Sequence, residues 1–372
     1  MPRDLRIDAF RGLSLLMIFT NHAAYLGGNH LLRDYSLQTL TLTDCANVFI
    51  FISGYVAGLV YGRVLDAGGF RDVLRKSARR AGQLYLWHLL ALAATVAIVG
   101  VFGLGGAESL QRARLTLLFE RPLEAVPAAL ALAYTPYAFD VLRLYILFLF
   151  ALPCWLWLLK RNPALALLAS AALYAVPLLI PGANLADWPD GLAWYFNPLS
   201  WQLLFFGGIA LARLGAPGPE RFWCSRWLLA ACVCVVVAGV LVRTAAPAVM
   251  AAWDPQVPFI HDDLVYGKLP WTDKTNLGIT RLVYFGALSL VALRMLPRDL
   301  GFWPGRRAAP VVACGRKALQ TYCLGLVLVY LFAALMKGWG HGDAVILGLT
   351  VTGWGIQMAV ATALVRRGSR AA

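Results

Sequence analysis

The chain has 372 residues, 60% of them hydrophobic and only 14% charged, with 13 Trp. Such proportions exclude a soluble globular domain and define a polytopic membrane protein. Lys and Arg outnumber Asp and Glu by 33 to 19, a formal charge of +14. The excess gathers at the ends of apolar segments and is a topology signal, so nucleic acid is not an expected partner.

Apolar segments of about 20 residues cover 10–29, 45–63, 83–104, 139–159, 163–180, 194–213, 227–242, 277–295, 318–336 and 344–365. Helix-ending chemistry separates them at Gly27-Gly28, Gly68-Gly69, Pro181-Gly182, Ala216 to Pro219 and Pro304-Gly305. No stretch between them is long enough for a core of its own. The expectation is an all-α, polytopic membrane bundle of about ten transmembrane helices, with residues 1–372 as a single integral-membrane domain. The first segment is expected to stay in the mature chain, because no small-residue cleavage site follows it cleanly. With the N-terminus inside, the inner segments collect most Lys and Arg, including Arg3, Arg298, Arg306 and Arg307. The outer loops keep Arg33, Arg112, Arg114, Arg121, Arg243, Lys268, Lys274 and Lys337. That bias places both termini in the cytoplasm of a bacterium, the chain crossing its inner membrane many times. The seven cysteines show no CxxC pair and no metal spacing with His, so they are expected to be small buried hydrophobes and no metal site is expected.

Taken in order, the first segment carries Arg11 and His22, eleven positions and about three turns apart, so both side chains point one way and His22 sits about 16 Å deeper. Asp8, Arg11, Ile18, His22 and Tyr25 share a stripe. A phosphate-bearing molecule held at Arg11 could extend an arm to His22. An ionisable group at membrane depth is a functional candidate, with a hydrogen-bonded core histidine as the plainer alternative. The second segment returns Asp44 and Asn47 to the level of His22, where either could accept an imidazole N–H. Ser53, Gly54, Gly58 and Gly62 fit either close helix packing or the lining of a substrate tunnel.

Residues 70–83 then place Arg71, Arg75, Lys76, Arg79 and Arg80 on a helix at the inner surface. They could face anionic lipid, or cradle donor phosphates together with Arg11, Arg316 and Lys317. No Gly-rich phosphate loop is present. The outer loop from 105 to 137 is long for a bundle and is expected to be partly helical on the membrane surface. Asp140, Arg143 and Tyr145 open the fourth segment, Asn197, Trp201 and Gln202 the sixth, and Lys274, Asn276 and Arg281 flank the start of the eighth. These nine are expected to gather near the outer face; interfacial anchoring accounts for Tyr145 and Trp201, but not for Arg143 or Arg281.

RIDAFRGL at Arg6 to Leu13, the Arg11–His22 spacing, VFIFISGY at Val48 to Tyr55 and RKSARR at Arg75 to Arg80 resemble the acyltransferase-3 superfamily of membrane acyltransferases. FNPLSWQLLF at Phe196 to Phe205, KTNLGITRL at Lys274 to Leu282 and CGRKALQTYCLG at Cys314 to Gly325 are similar to its OpgC branch, which succinylates osmoregulated periplasmic glucans. Relatives often carry Glu near Asn47 and Pro near Arg143, and this chain departs at both. The resemblance implies a ten-helix bundle that takes an acyl group from cytoplasmic succinyl-CoA or acetyl-CoA and delivers it to a periplasmic glucan or other glycan. Besides donor, glycan and membrane lipids no partner or prosthetic group is implied, and the oligomeric state stays open. On this sequence it implies His22 as catalytic base and Arg11 as its donor-phosphate or structural partner; the antiparallel second segment adds Asp44 and Asn47 beside the base. Arg75, Lys76, Arg79, Arg80, Arg316, Lys317 and Ser53 would hold the donor. Asp140, Arg143, Tyr145, Asn197, Trp201, Gln202, Lys274, Asn276 and Arg281 would meet the acceptor or the acyl group, with Arg143 or Arg281 as partner of a distal carboxylate. Direct attack and an acyl-histidine intermediate remain alternatives. Rival classes are a secondary transporter for an organic anion or sugar, against which no internal repeat appears, and a glycosyltransferase with a lipid-linked donor, against which Asp34 and Asp44 of the first outer loop stand far apart and the basic patch lies inside.

Overall fold

A computed structural model describes residues 4–29, 31–104, 106–244, 272–296, 305 and 308–370. Among these residues no strand forms, and one isolated antiparallel bridge joins Ala186 and Ala193. Arg3, Lys268, Arg298, Arg306 and Arg307 of the charge pattern, and Pro304, lie outside the described residues.

The helices are α1 (Leu5–Gly27), α2 (Leu31–Asp34), α3 (Leu37–Leu40), α4 (Cys45–Phe102), α5 (Ala107–Arg112), α6 (Thr116–Glu120), α7 (Pro122–Leu130) and α8 (Asp140–Arg161). There follow α9 (Pro163–Leu179), α10 (Pro198–Leu214), α11 (Glu220–Trp223), α12 (Arg226–Thr244), α13 (Ile279–Met295), α14 (Ala309–Arg316), α15 (Ala318–Trp339) and α16 (Asp343–Arg370). Helix occupies all ten apolar segments, with ends displaced by a few residues. By length and composition, five described helices can cross a membrane: α4, α8, α12, α15 and α16. Helix α4 contains two of the expected segments, and α9 and α10 are shorter apolar helices.

Local chemistry sets the ends. Asp4 caps α1, its side chain accepting from the Arg6 N–H, and Gly28 closes the helix at φ +68°. The Asp44 carboxylate caps α4 by accepting from the N–H groups of Ala46 at 2.9 Å and Asn47 at 3.2 Å. Inside α4 the backbone leaves helical geometry once, at Gly69, with φ +78° and ψ −169°, a conformation that costs a glycine little. There the chain doubles back, so that Tyr61 before the turn and Lys76 after it line one cavity, the ammonium 5.8 Å from the ring centre. The basic stretch is therefore the opening of the third apolar segment rather than a separate surface helix.

Helix α1 packs against α4, α14, α15 and α16 and forms the axis of the bundle, while α10 lies on α4 and α9. A Cβ at Gly54 would stand 2.0 Å from the Phe205 carbonyl oxygen, and one at Gly208 would stand 2.3 Å from that of Phe51. Close packing thus accounts for Gly54, leaving Ser53 to face a cavity. Asp66 receives Lys160 at 3.0 Å and Arg213 at 2.8 Å, tying α4, α8 and α10 together at one end. Of the cysteines, Cys45, Cys314 and Cys323 are buried, but Cys154, Cys224 and Cys234 are exposed on the outside of the bundle. An exposed apolar thiol is no anomaly on a lipid-facing helix. In the loop before α8, helices α5, α6 and α7 supply the expected helicity, and Ala113, Leu115 and Tyr134 of that loop are buried.

Candidate active site

Two cavities lie along one side of α1. The first, about 440 Å³, is bounded by Arg11, the two arms of α4, α8 and the start of α15. Its cations are Arg11, Lys76, Arg79 and Arg80, its polar groups include Ser53 and Tyr145, and no carboxylate lines it. Arg11 is placed by the ring of Phe49, 5.6 Å away. Tyr145 leans on the same ring and its hydroxyl lies 3.4 Å from the Phe49 carbonyl.

The second cavity, about 400 Å³, is lined by His22 and Tyr25 of α1, Asp44 at the head of α4, Arg114 and Tyr137 of the long loop, Asp140, and Tyr195, Phe196 and Lys274. Val141 borders both cavities, so they succeed one another along the face that carries Arg11 and His22. Nδ1 of His22 lies 2.9 Å from the Tyr137 hydroxyl, leaving Nε2 as the ring nitrogen without a hydrogen bond among the described residues. The Lys274 ammonium meets the Asp44 carboxylate at 2.8 Å and stands 5.2 Å from the Tyr195 ring. Burial alone would lower Lys274, but the Asp44 carboxylate outweighs it and raises the group above its ordinary value.

Behind this wall runs a ladder of buried charge. Asp187, with no exposed side-chain surface, accepts from both Arg114, at 2.6 Å, and Arg143. Arg114 also reaches Asp190 at 3.1 Å, and Arg143 reaches Asp140 at 2.8 Å while its guanidinium lies 3.6 Å from the Trp194 ring centre. The ladder fastens the loop before α8 to the loop before α10.

Several expected placements are corrected. The hydrogen bond to the His22 ring comes from Tyr137, not from Asp44 or Asn47; Asp44 is engaged as helix cap and as partner of Lys274. Asn47 is fully buried, lines neither cavity and has no side-chain partner among the described residues. Tyr145 belongs to the Arg11 cavity rather than to the outer group. Arg143 is 1% exposed, paired with Asp140 and Asp187, and lines neither cavity. Arg281 lines neither cavity and donates from Nε to the Thr272 carbonyl at 2.7 Å.

Asn197, Trp201, Gln202 and Asn276 form scaffold. Asn197 donates to Asn276 Oδ1 at 2.8 Å and to the Ala183 carbonyl at 2.7 Å; Trp201 donates to the carbonyls of Lys274 and Thr275. Gln202 bonds Ser170 of α9, and Asn276 is held by Asp273. Asn197, Trp201 and Asn276 fix the backbone that presents Lys274, and Gln202 ties α10 to α9. Of the expected donor residues, Lys76, Arg79, Arg80 and Ser53 line the Arg11 cavity, whereas Arg75 is exposed and paired with Asp72, and Arg316 and Lys317 stay outside its lining. Tyr137, Arg114, Asp187 and Tyr195 join the site from irregular loops, where no periodicity in the sequence singles them out.

Fold and cavities together define an all-helical membrane protein with a cationic chamber and a histidine chamber on one helix face. The chain belongs to the OpgC family: the family model described as OpgC protein matches residues 3–369. No curated protein and no solved structure matches the chain.

Proposed function

We propose that this OpgC-family chain is a membrane O-acyltransferase that moves an acyl group, succinyl in this reading, from cytoplasmic acyl-CoA to a hydroxyl of a periplasmic glucan. The observation that carries the reading is the succession of a cavity with four cations and no carboxylate, then a cavity holding His22, on one face of α1. In this reading ten helices span the inner membrane, both termini are cytoplasmic, and the Arg11 cavity is the inner one.

The donor phosphates rest on Arg11, Lys76, Arg79 and Arg80, where charge-assisted hydrogen bonds are strong. The pantetheine arm runs past Phe49 and Val141 and delivers the thioester carbon to His22. His22 Nε2 takes the proton of a sugar hydroxyl as its oxygen forms the ester bond; the C–S bond breaks and the departing thiolate receives that proton. Lys274 replaces Arg143 and Arg281 as the cation for a distal carboxylate, because it alone of the three lines the His22 cavity.

Labelled succinyl-CoA and acetyl-CoA, incubated with a periplasmic glucan extract and purified protein, test the reading. Label should enter the glucan with wild type, and His22→Ala should lower transfer by about 10²- to 10⁴-fold. Transfer by His22→Ala at the wild-type rate would sink the base role. Accumulation of a labelled anion in vesicles without glucan labelling would replace the enzyme by a transporter, an alternative to which family membership lends no support.

A further inference from the structure

The Tyr137 hydroxyl and Nδ1 of His22 face one another with their rings at 89°. Tyr137 is held from three sides. Tyr25 stacks on its ring at 4.6 Å, its N–H donates to the Ala113 carbonyl at 3.0 Å, and its carbonyl accepts from the Tyr330 hydroxyl at 2.8 Å. A single proton occupies the contact with His22: the phenol donates to Nδ1, or Nδ1–H donates to the phenolic oxygen.

Acceptor supply decides between the two. His22 Nδ1 is the one hydrogen-bond partner of the Tyr137 hydroxyl among the described residues. Burial pushes the Tyr137 phenol well above its ordinary value, so it keeps its proton. Turned towards Nδ1, that proton gains a bond worth about 0.5–1.5 kcal/mol; turned away, the hydroxyl has no hydrogen-bond partner among the described residues. The ring proton of neutral His22 is therefore assigned, from the hydrogen-bond partners, to Nε2. In that tautomer Nε2 has no lone pair for a substrate proton, and the base required for acyl transfer does not yet exist.

We propose that Tyr137 is a positioning residue that switches the tautomer of His22 when a carbohydrate enters the cavity. Without an acceptor the phenol locks Nδ1, Nε2–H faces the thioester, and His22 cannot activate water against it. A sugar brings hydroxyl oxygens to the same wall. Nε2 passes its proton to a sugar hydroxyl, a sugar hydroxyl passes one to the phenolic oxygen, and the phenol's original proton goes to Nδ1. The phenol then donates to the sugar, and its oxygen accepts from Nδ1–H. No proton is gained or lost overall, and Tyr137 begins and ends as a neutral phenol. The ester-forming step follows as described above. This inference rests on the acyl-transfer reading and adds to it the reason a thioester survives beside a histidine until the acceptor is present.

Two measurements test it on the full-length protein in nanodiscs. ¹⁵N-histidine spectra, with the His22 signals identified by their loss in His22→Asn, should show Nε2 protonated without sugar and Nδ1 protonated after glucan oligosaccharide is added. Tyr137→Phe retains the ring that stacks on Tyr25 and removes the lock. It should hydrolyse succinyl-CoA or acetyl-CoA without acceptor about tenfold faster than wild type or more, a gain that structural damage does not produce. A protonated Nδ1 in the sugar-free wild type overturns the switch, as does a Tyr137→Phe variant that transfers acyl groups yet hydrolyses no faster than wild type. A wild type that shows Nε2–H but transfers nothing overturns the acyl-transfer reading, and the switch with it, while leaving the tautomer assignment in place.

Discussion

The two cavities are close in size and opposite in charge design. Around Arg11 the lining holds Arg11, Lys76, Arg79 and Arg80 against no carboxylate. Around His22 the lining holds four cations, of which Lys274 is answered by Asp44, Arg112 by Glu108, and Arg114 by Asp187 and Asp190. A cavity lined by four cations and no carboxylate attracts a polyanion. A lining in which cations are paired with carboxylates gains less from a polyanion and adds hydrogen bonds and aromatic faces, which suits a polyol beside the single distal carboxylate that Lys274 would meet. In the proposed reading, the contrast matches the first cavity to the donor and the second to the acceptor.

The sharpest way to break the contrast is to unbalance the compensated side. Asp187→Ala removes the carboxylate between Arg114 and Arg143 and leaves a fully buried guanidinium short of its partner, a loss of about 3–5 kcal/mol. Thermal unfolding in detergent should show a markedly lower midpoint. On the cationic side, Arg79→Gln should raise the KM for acyl-CoA by about 10- to 100-fold while the KM for glucan stays put, since a lost charge-assisted bond is worth about 1.5–3 kcal/mol. A parallel rise in both constants would argue against separate donor and acceptor chambers. Smaller again, Asp44→Asn combined with Lys274→Gln removes the ion pair without stranding a charge. It should narrow the preference for succinyl-CoA over acetyl-CoA by about tenfold, read as the ratio of kcat/KM values. Least affected will be Arg75→Gln, an exposed residue paired with Asp72, whose donor KM and midpoint should match wild type to within about 0.5 kcal/mol.

Much of the frame was legible in the residues. The stripe from Arg11 to His22 follows from helical pitch, Gly68-Gly69 announced the turn, and three of the four predicted cations of residues 75–80 line the cavity because three-to-four spacing fixes their face. Polar residues at helix entrances were harder. Asn197 caps α10 and Gln202 bridges to α9, roles that use the same residue types as substrate binding, so composition alone does not separate them. What could not be read at all depends on chain convergence. Tyr137, Arg114 and Asp187 come from two loops without periodicity, and only their meeting in space gives them a role.

The separation of Arg11 and His22 along α1 also has an electrical meaning. Their offset of about 16 Å is roughly half of a hydrocarbon core about 30 Å thick. In the proposed orientation, a succinyl carboxylate carried from one cavity to the other moves a negative charge outward through about half of the membrane field. With the cell interior negative, that movement releases roughly 1 kcal/mol per 100 mV, half the value for a full crossing. Acetyl, which carries no charge, draws nothing from the same gradient, so energised membranes should favour the dicarboxylic donor over the neutral one.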